Sequence, residues 1–157
     1  MHIYTRAKAC LPKRQGFTLI ELLVVIAIIG VLSTLAVVSL NNAREKSRDA
    51  KRVSDIKQVQ TALELYFVDN NAYPVGTGAV LGGASAQALS DAGFTASGGV
   101  TGTTFMGQVP SNPTPGGTNY AYTQTQSGVS YTVTFTLENQ TGALAQGAHT
   151  ASPSGIE

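Results

Sequence analysis

The chain has 157 residues, a formal net charge of +1, 43% apolar residues and only 12% charged ones. One cysteine, Cys10, and two histidines, His2 and His149, exclude a disulfide scaffold. They also leave no metal-ligand spacing and no Ser/His/Asp set, and no phosphate-binding glycine loop follows a strand, so nothing here reads as an enzyme.

Residues 1–16 carry Arg6, Lys8, Lys13 and Arg14 and no acid. An apolar run from Phe17 to Leu40 follows, with Glu21 as its only charge. At about 1.5 Å per residue the run spans roughly 36 Å, enough to cross a bilayer core about 30 Å thick with some tilt. The basic residues before it would hold the N-terminus in the cytoplasm. A secretory signal peptide fits poorly, because its apolar core would be about 7–15 residues with a small-residue cleavage site after it. A carboxylate inside a bilayer costs roughly 2.5–3.5 kcal/mol on insertion scales, so Glu21 calls for a task and a partner.

The composition shifts at Asn41. Residues 44–57 hold Arg44, Lys46, Arg48, Lys51, Arg52 and Lys57 against Glu45, Asp49 and Asp55, a local excess of +3. Val53, Ile56, Val59, Ala62, Leu63 and Tyr66/Phe67 recur at helical spacing and form an apolar stripe. Glu45 and Asp49 have Arg48 and Arg52 as basic neighbours for helix-supporting pairs. Asn70-Asn71 and Pro74 stop the pattern. The spacing predicts one nearly continuous helix from Phe17 to about Asp69, apolar all round in its first half (17–40) and amphipathic in its second (41–70). Its basic face reads as solvated or paired between subunits; attraction of nucleic acid is a weaker reading, testable by salt dependence.

After Lys57 there is no Lys or Arg, and Glu64, Asp69, Asp91, Glu138 and Glu157 make that region −5. Residues 71–118 read as a Gly-, Ser- and Thr-rich loop with one short helix at Ala84–Asp91 and a turn cluster at Val109–Gly117. Residues 119–157 read as an antiparallel sheet of three strands: Tyr120–Thr123, Val129–Glu138 and Ala143–Ala148. The alternation of Tyr131, Val133, Phe135 and Leu137 marks the face laid on the helix stripe. His149 reads as a solvated residue near a frayed terminus, and Tyr66, Tyr73, Tyr120, Tyr122 and Tyr131 as core or rim packing.

Gly16-Phe17-Thr18-Leu19-Ile20-Glu21, with Lys13-Arg14 before it and Leu22-Leu23-Val24-Val25-Ile26-Ala27-Ile28-Ile29-Gly30 after it, resembles the class III signal of type IV pilins and type II secretion pseudopilins. A second, less specific likeness runs through Ser54–Lys57, Ala62-Leu63, Leu65-Tyr66, Asp69-Asn70 and Tyr73-Pro74. The resemblance implies an α+β, pilin-like lollipop: one long N-terminal helix, transmembrane in its first half, packed on a small antiparallel sheet. It implies that a prepilin peptidase cuts between Gly16 and Phe17, removes residues 1–16 as a leader and methylates the Phe17 amine. Glu21 would then pair with the Phe17 ammonium of a neighbouring copy during assembly. Loss of the leader would change the net charge from +1 to −3, because it carries four basic residues and no acid.

The implied product is a structural subunit that polymerises with itself into a pilus-like surface filament. The alternatives are a pseudopilin of a type II secretion or DNA-uptake system, and a minor pilin that binds at the tip. Implied partners are the peptidase, an assembly ATPase, an inner-membrane platform and membrane lipid before assembly. The implied location is the bacterial inner membrane as a single-pass protein, then an extracellular or periplasmic filament. The chain departs from the family in two places. Val38 stands where many pilins have a kinking proline, which leaves Gly30 and Ser33-Thr34 as the place for the helix to loosen. The processed chain would also lack cysteine. Major pseudopilins often hold calcium with acids of the last loop; here only the scattered Asp91, Glu138 and Glu157 are available, so the expectation is of no cofactor and no metal.

Overall fold

A computed structural model describes residues 16–157. The expectations that fall on residues 1–15, including the leader's basic residues and Cys10, lie outside the described residues. The chain divides into two units, the first ending at Leu40 and the second comprising Asn41–Glu157.

Helix α1 runs Leu19–Asn70, matching the extent read from the apolar run and its amphipathic continuation. It passes Gly30 and Val38 without interruption. Within the first unit every residue from Gly16 to Leu40 is exposed, and large side chains such as Leu19, Ile20, Leu22 and Ile26 are at least 60% accessible. An apolar helix with no buried face is not a stable arrangement in water. This is the one described helix long and apolar enough to cross a membrane.

The second unit contains eight strands: β1 Ala79–Val80, β2 Ala88–Ser90, β3 Gly93–Thr95, β4 Thr104–Met106, β5 Ala121–Thr125, β6 Ser130–Leu137, β7 Gly147–Ser152 and β8 Gly155–Ile156. They form two antiparallel sheets, one ordered β1-β5-β6-β7-β8 and one ordered β3-β2-β4. The α+β, pilin-like architecture expected from the sequence is present. Tyr131, Val133, Phe135 and Leu137 of β6 are buried, and they join Ile56, Val59, Leu63 and Tyr66 of α1 in one core. Aromatic contacts close it: Tyr66 meets Phe105 edge-on at 5.4 Å, and Tyr73 meets Tyr131 at 4.7 Å.

Four expectations are corrected. No helix forms at Ala84–Asp91. The segment instead supplies β2, which pairs with β3 through Leu89↔Phe94 and with β4 through Leu89↔Met106. Ala88, Leu89 and Ser90 are all buried, so tertiary burial overrides the helix preference of an Ala-rich stretch. The main sheet has five strands, not three, because β1 and β8 pair on its two edges. The return strand starts at Gly147 rather than Ala143, since Thr141 and Leu144 exchange main-chain hydrogen bonds at 2.9 and 3.1 Å and hold that stretch in a turn. The terminus is not frayed: Thr150 and Glu157 exchange hydrogen bonds at 3.0 and 2.9 Å.

Truncating Phe135, 1% exposed, should destabilise the second unit. Phe135→Ala is expected to cost about 3–5 kcal/mol, while Thr134→Ala on the opposite, exposed face of β6 should stay within about 0.5 kcal/mol. Urea unfolding of the full chain in detergent, followed by near-ultraviolet circular dichroism, measures both.

Candidate functional site

The sequence points first to the beginning of α1. Gly16 and Phe17 precede the helix and are exposed, Phe17 at 83%. Glu21 lies one turn in. Its Oε2 accepts hydrogen bonds from the Thr18 main-chain N–H at 2.9 Å and the Thr18 hydroxyl at 2.7 Å. In return the Glu21 N–H donates to Thr18 Oγ1 at 3.3 Å. This reciprocal arrangement is a capping box, in which Thr18 and Glu21 satisfy donors that the first helical turn leaves open. The motif is legible in the sequence as Thr18-Leu19-Ile20-Glu21, a Thr-x-x-Glu ahead of an apolar run. Phe17, Ile20, Val24 and Val25 border Glu21 in a shallow groove. A carboxylate is therefore held in a fixed rotamer on an otherwise apolar, uncovered surface, two turns or less from the Gly16–Phe17 bond. No cation is paired with it among the described residues.

A second concentration of charge, absent from the sequence reading, lies where α1 meets the sheet. Arg52 is fully buried, and its guanidinium makes five hydrogen bonds: to Asn112 Oδ1 at 2.7 Å, Asp49 Oδ1 at 2.7 Å, Pro113 O at 2.9 Å, Gly116 O at 2.8 Å, and Glu138 Oε1. All five N–H donors of the group are used. Arg48 adds a two-pronged bond to the same Glu138 carboxylate. Asp49, also fully buried, accepts the main-chain N–H groups of Glu138 at 2.9 Å and Asn139 at 2.7 Å. Gly116 and Gly117 make room for this cluster. Both have positive φ, and a Cβ on Gly116 would meet the Glu138 carboxylate carbon at 2.6 Å.

These contacts revise the reading of residues 44–57. The pair within the helix is Asp49–Arg52 at i,i+3, and Arg48 and Arg52 are committed to Glu138 on the sheet. The two central arginines are thus withdrawn from any nucleic-acid-facing stripe, leaving Arg44, Lys46, Lys51 and Lys57 as its exposed cations.

The acids named for calcium have separate engagements. Glu138 is saturated by two arginines, Asp91 Oδ2 accepts the Thr103 N–H at 2.7 Å, and Glu157 pairs through its main chain with Thr150. No group of three His, Cys, Asp or Glu side chains converges among the described residues. His149 is half-buried on β7 rather than free: its ring nitrogens lie 3.0 Å from Glu157 O and 2.8 Å from Ala145 O, and its ring lies beside Phe135. Of the tyrosines, Tyr120, Tyr122 and Tyr131 are fully buried, as core packing requires. Burial and the neighbouring Glu64 push the Tyr73 hydroxyl up to about 12.

Comparison with known proteins places the similarity at the beginning of the chain. Residues 11–37 match the family model described as the prokaryotic N-terminal methylation motif. A stretch of 62 residues, 40% of this chain, is 48% identical to the type II secretion system core protein G of Pectobacterium carotovorum subsp. carotovorum. The same length is 50% identical to the protein of that name in Escherichia coli K12 and 39% identical to that of Pseudomonas aeruginosa. The match spans 40–44% of the length of those three relatives. No solved structure matches the chain.

The charge cluster should appear in the pH dependence of stability. The bonds from Arg48, followed by those from Arg52, hold the Glu138 carboxyl down at about 2, against an ordinary value of 4.5. A carboxyl lowered in the folded state contributes fully above its unfolded value, and that contribution is lost as pH falls through the folded one. The thermal midpoint of the full chain should therefore fall between about pH 4.5 and 2. Glu138→Gln should lower it at neutral pH and make the acid-side decline shallower. Arg52→Met, which strands buried Asp49, should cost about 3–5 kcal/mol in urea unfolding.

Proposed function

We propose that the chain is the precursor of a structural subunit that polymerises into a pilus-like filament. The observation that carries this reading is the start of α1: an uncovered apolar helix, a single carboxylate held at its first turn, and the Gly16–Phe17 bond just before it. A prepilin peptidase cuts that bond and methylates the amine of Phe17. The new ammonium of one copy pairs with Glu21 of the next. Pairing offsets part of the desolvation of both charges, and it fixes the axial register, since another stagger leaves both unpaired among apolar side chains. Glu21 thus serves assembly, not catalysis.

The partners follow from the same physics. Before assembly the helix resides in the inner membrane as a single span, with lipid covering its apolar surface. Removing it from lipid takes work, supplied in this reading by an assembly ATPase acting through an inner-membrane platform. Copies of the helix then replace lipid as the apolar surroundings. The names of the relatives favour a type II secretion filament over a long surface pilus, with the filament emerging into the periplasm.

Two measurements test the proposal. Intact-mass and N-terminal analysis of the chain purified from cells should show Phe17 as the first residue, with a methylated amine; a functioning chain that still begins with its basic leader would refute processing. Glu21→Ala should leave cleavage intact and lower assembled filament, read as cross-linked multimers of the chain in whole cells, by roughly tenfold or more, the scale of an unpaired intramembrane charge. Undiminished filament from that variant would remove the assembly role.

A further inference from the structure

The Asn41–Glu157 unit carries a second polar feature, separate from the Arg52 cluster. A cleft of about 610 Å³ lies on its surface, bordered by Lys51, Asp55, Gln87, Ser97, Gln108 and Ser111. The volume is in the range of small-molecule sites, but the lining is polar, which suits a polar ligand. Asp55, only 6% exposed, lies at the helix side of the cleft. Among the described residues one hydrogen bond reaches its carboxylate, from the Tyr120 hydroxyl to Oδ2 at 3.3 Å. A carboxylate offers about four acceptor positions, so most of this one's capacity is unspent. Lys51, one turn earlier, forms no ion pair with it among the described residues. Burial pushes the Asp55 carboxyl up, against the opposing influence of Lys51 and Tyr120, as befits an acid short of partners.

The rest of the lining narrows the ligand. Gln87 Oε1 accepts the Ser97 N–H at 3.0 Å, which fixes the amide and leaves its NH2 group to donate. Gln108 and Ser111 contribute a further amide and a hydroxyl, and Lys51 contributes an ammonium at an exposed position. One anion and one cation cancel, so a ligand of either net charge meets a like charge. Asp55 brings a carboxylate acceptor, and Lys51 and the two side-chain amides bring N–H donors. A vicinal diol matches this pattern: two adjacent O–H groups donate to the two carboxylate oxygens, while each hydroxyl oxygen accepts from an amide or ammonium. We propose that this cleft binds a saccharide unit, with Asp55 accepting two neighbouring hydroxyls and Lys51, Gln87 and Gln108 donating to their oxygens.

Saturation-transfer NMR on the full chain tests it, in lauryldimethylamine oxide so that no sugar headgroup competes. The probes are the methyl glycosides of glucose, galactose, mannose and N-acetylglucosamine. At least one should receive magnetisation from the protein. Asp55→Asn and Gln108→Ala should each weaken its Kd about tenfold, the loss of a hydrogen bond in which a charged or well-placed group takes part. Gln108 is exposed, so its variant decides the matter if Asp55→Asn does not fold. The proposal is overturned if none of the four glycosides binds the unmodified chain. It is equally overturned if the folded variants bind with unchanged affinity, or if ethanolamine displaces the bound glycoside by occupying Asp55, which would identify an ammonium site. None of these readouts depends on processing or filament formation.

Discussion

The Asn41–Glu157 unit depends on one buried cation. Arg52 comes from the helix, yet its five donors end on three separate parts of the chain: Asp49 on the helix, the 112–116 turn, and Glu138 after the central strand. Burying a guanidinium is tolerable only when every donor is met and its charge is opposed. Both conditions hold here, and together they dictate local geometry. The turn must curl so that Pro113 and Gly116 present carbonyls, and Gly116 and Gly117 must adopt conformations that other residues avoid. A small unit without cysteine thus uses a hydrogen-bonded ion cluster where a disulfide would otherwise fasten a loop. The arrangement specifies the turn more than it adds net stability, since a buried ion pair repays little beyond its desolvation.

The first unit obeys the opposite logic. Its helix has no buried face, and its one charge finds only Thr18, two hydrogen bonds that cap the helix but supply no counter-charge. Capping does not solve the electrostatic problem of a carboxylate in an apolar medium. It does hold the carboxylate in one rotamer at the first turn, which reduces the ordering cost of meeting a cation delivered from elsewhere.

Much of this was legible in the sequence, and the limits have physical causes. The apolar run, its single acid and the 3.6-residue stripe are local patterns, and α1 ends within about one residue of its expected stop. The alternation at Tyr131–Leu137 likewise revealed β6 and its buried face. What failed was non-local. β2 looks helical because alanine favours helices, and only the strands on either side of it, β3 and β4, make it extended. The edge strands β1 and β8 are two residues long, too short to show any alternation. Arg48 and Arg52 read as members of a basic helix face because their partner, Glu138, lies about ninety residues away in sequence. At the start of the helix the Thr18–Glu21 box is a local motif, carried by Thr-x-x-Glu in the sequence itself.

The two proposals rest on a common physical observation. Inside the second unit, charges withdrawn from water carry their opposites with them: Asp49 has Arg52, and Glu138 has both arginines. Two carboxylates break this pattern. Glu21 stands on a surface that water does not favour, and Asp55 is buried beside a polar cleft with one long hydrogen bond. Their surroundings differ in the way their partners should. Around Glu21 everything is apolar, so a neutral ligand has nothing else to bind, and a cation carried on another apolar helix satisfies both the charge and the surface. Around Asp55 the walls are amide, hydroxyl and ammonium, already balanced in charge, so a further cation would be opposed by Lys51 while a neutral group that both donates and accepts would not. Under the two proposals, the same functional group, short of partners in both places, would meet a second copy of the chain in one and a small polar molecule in the other.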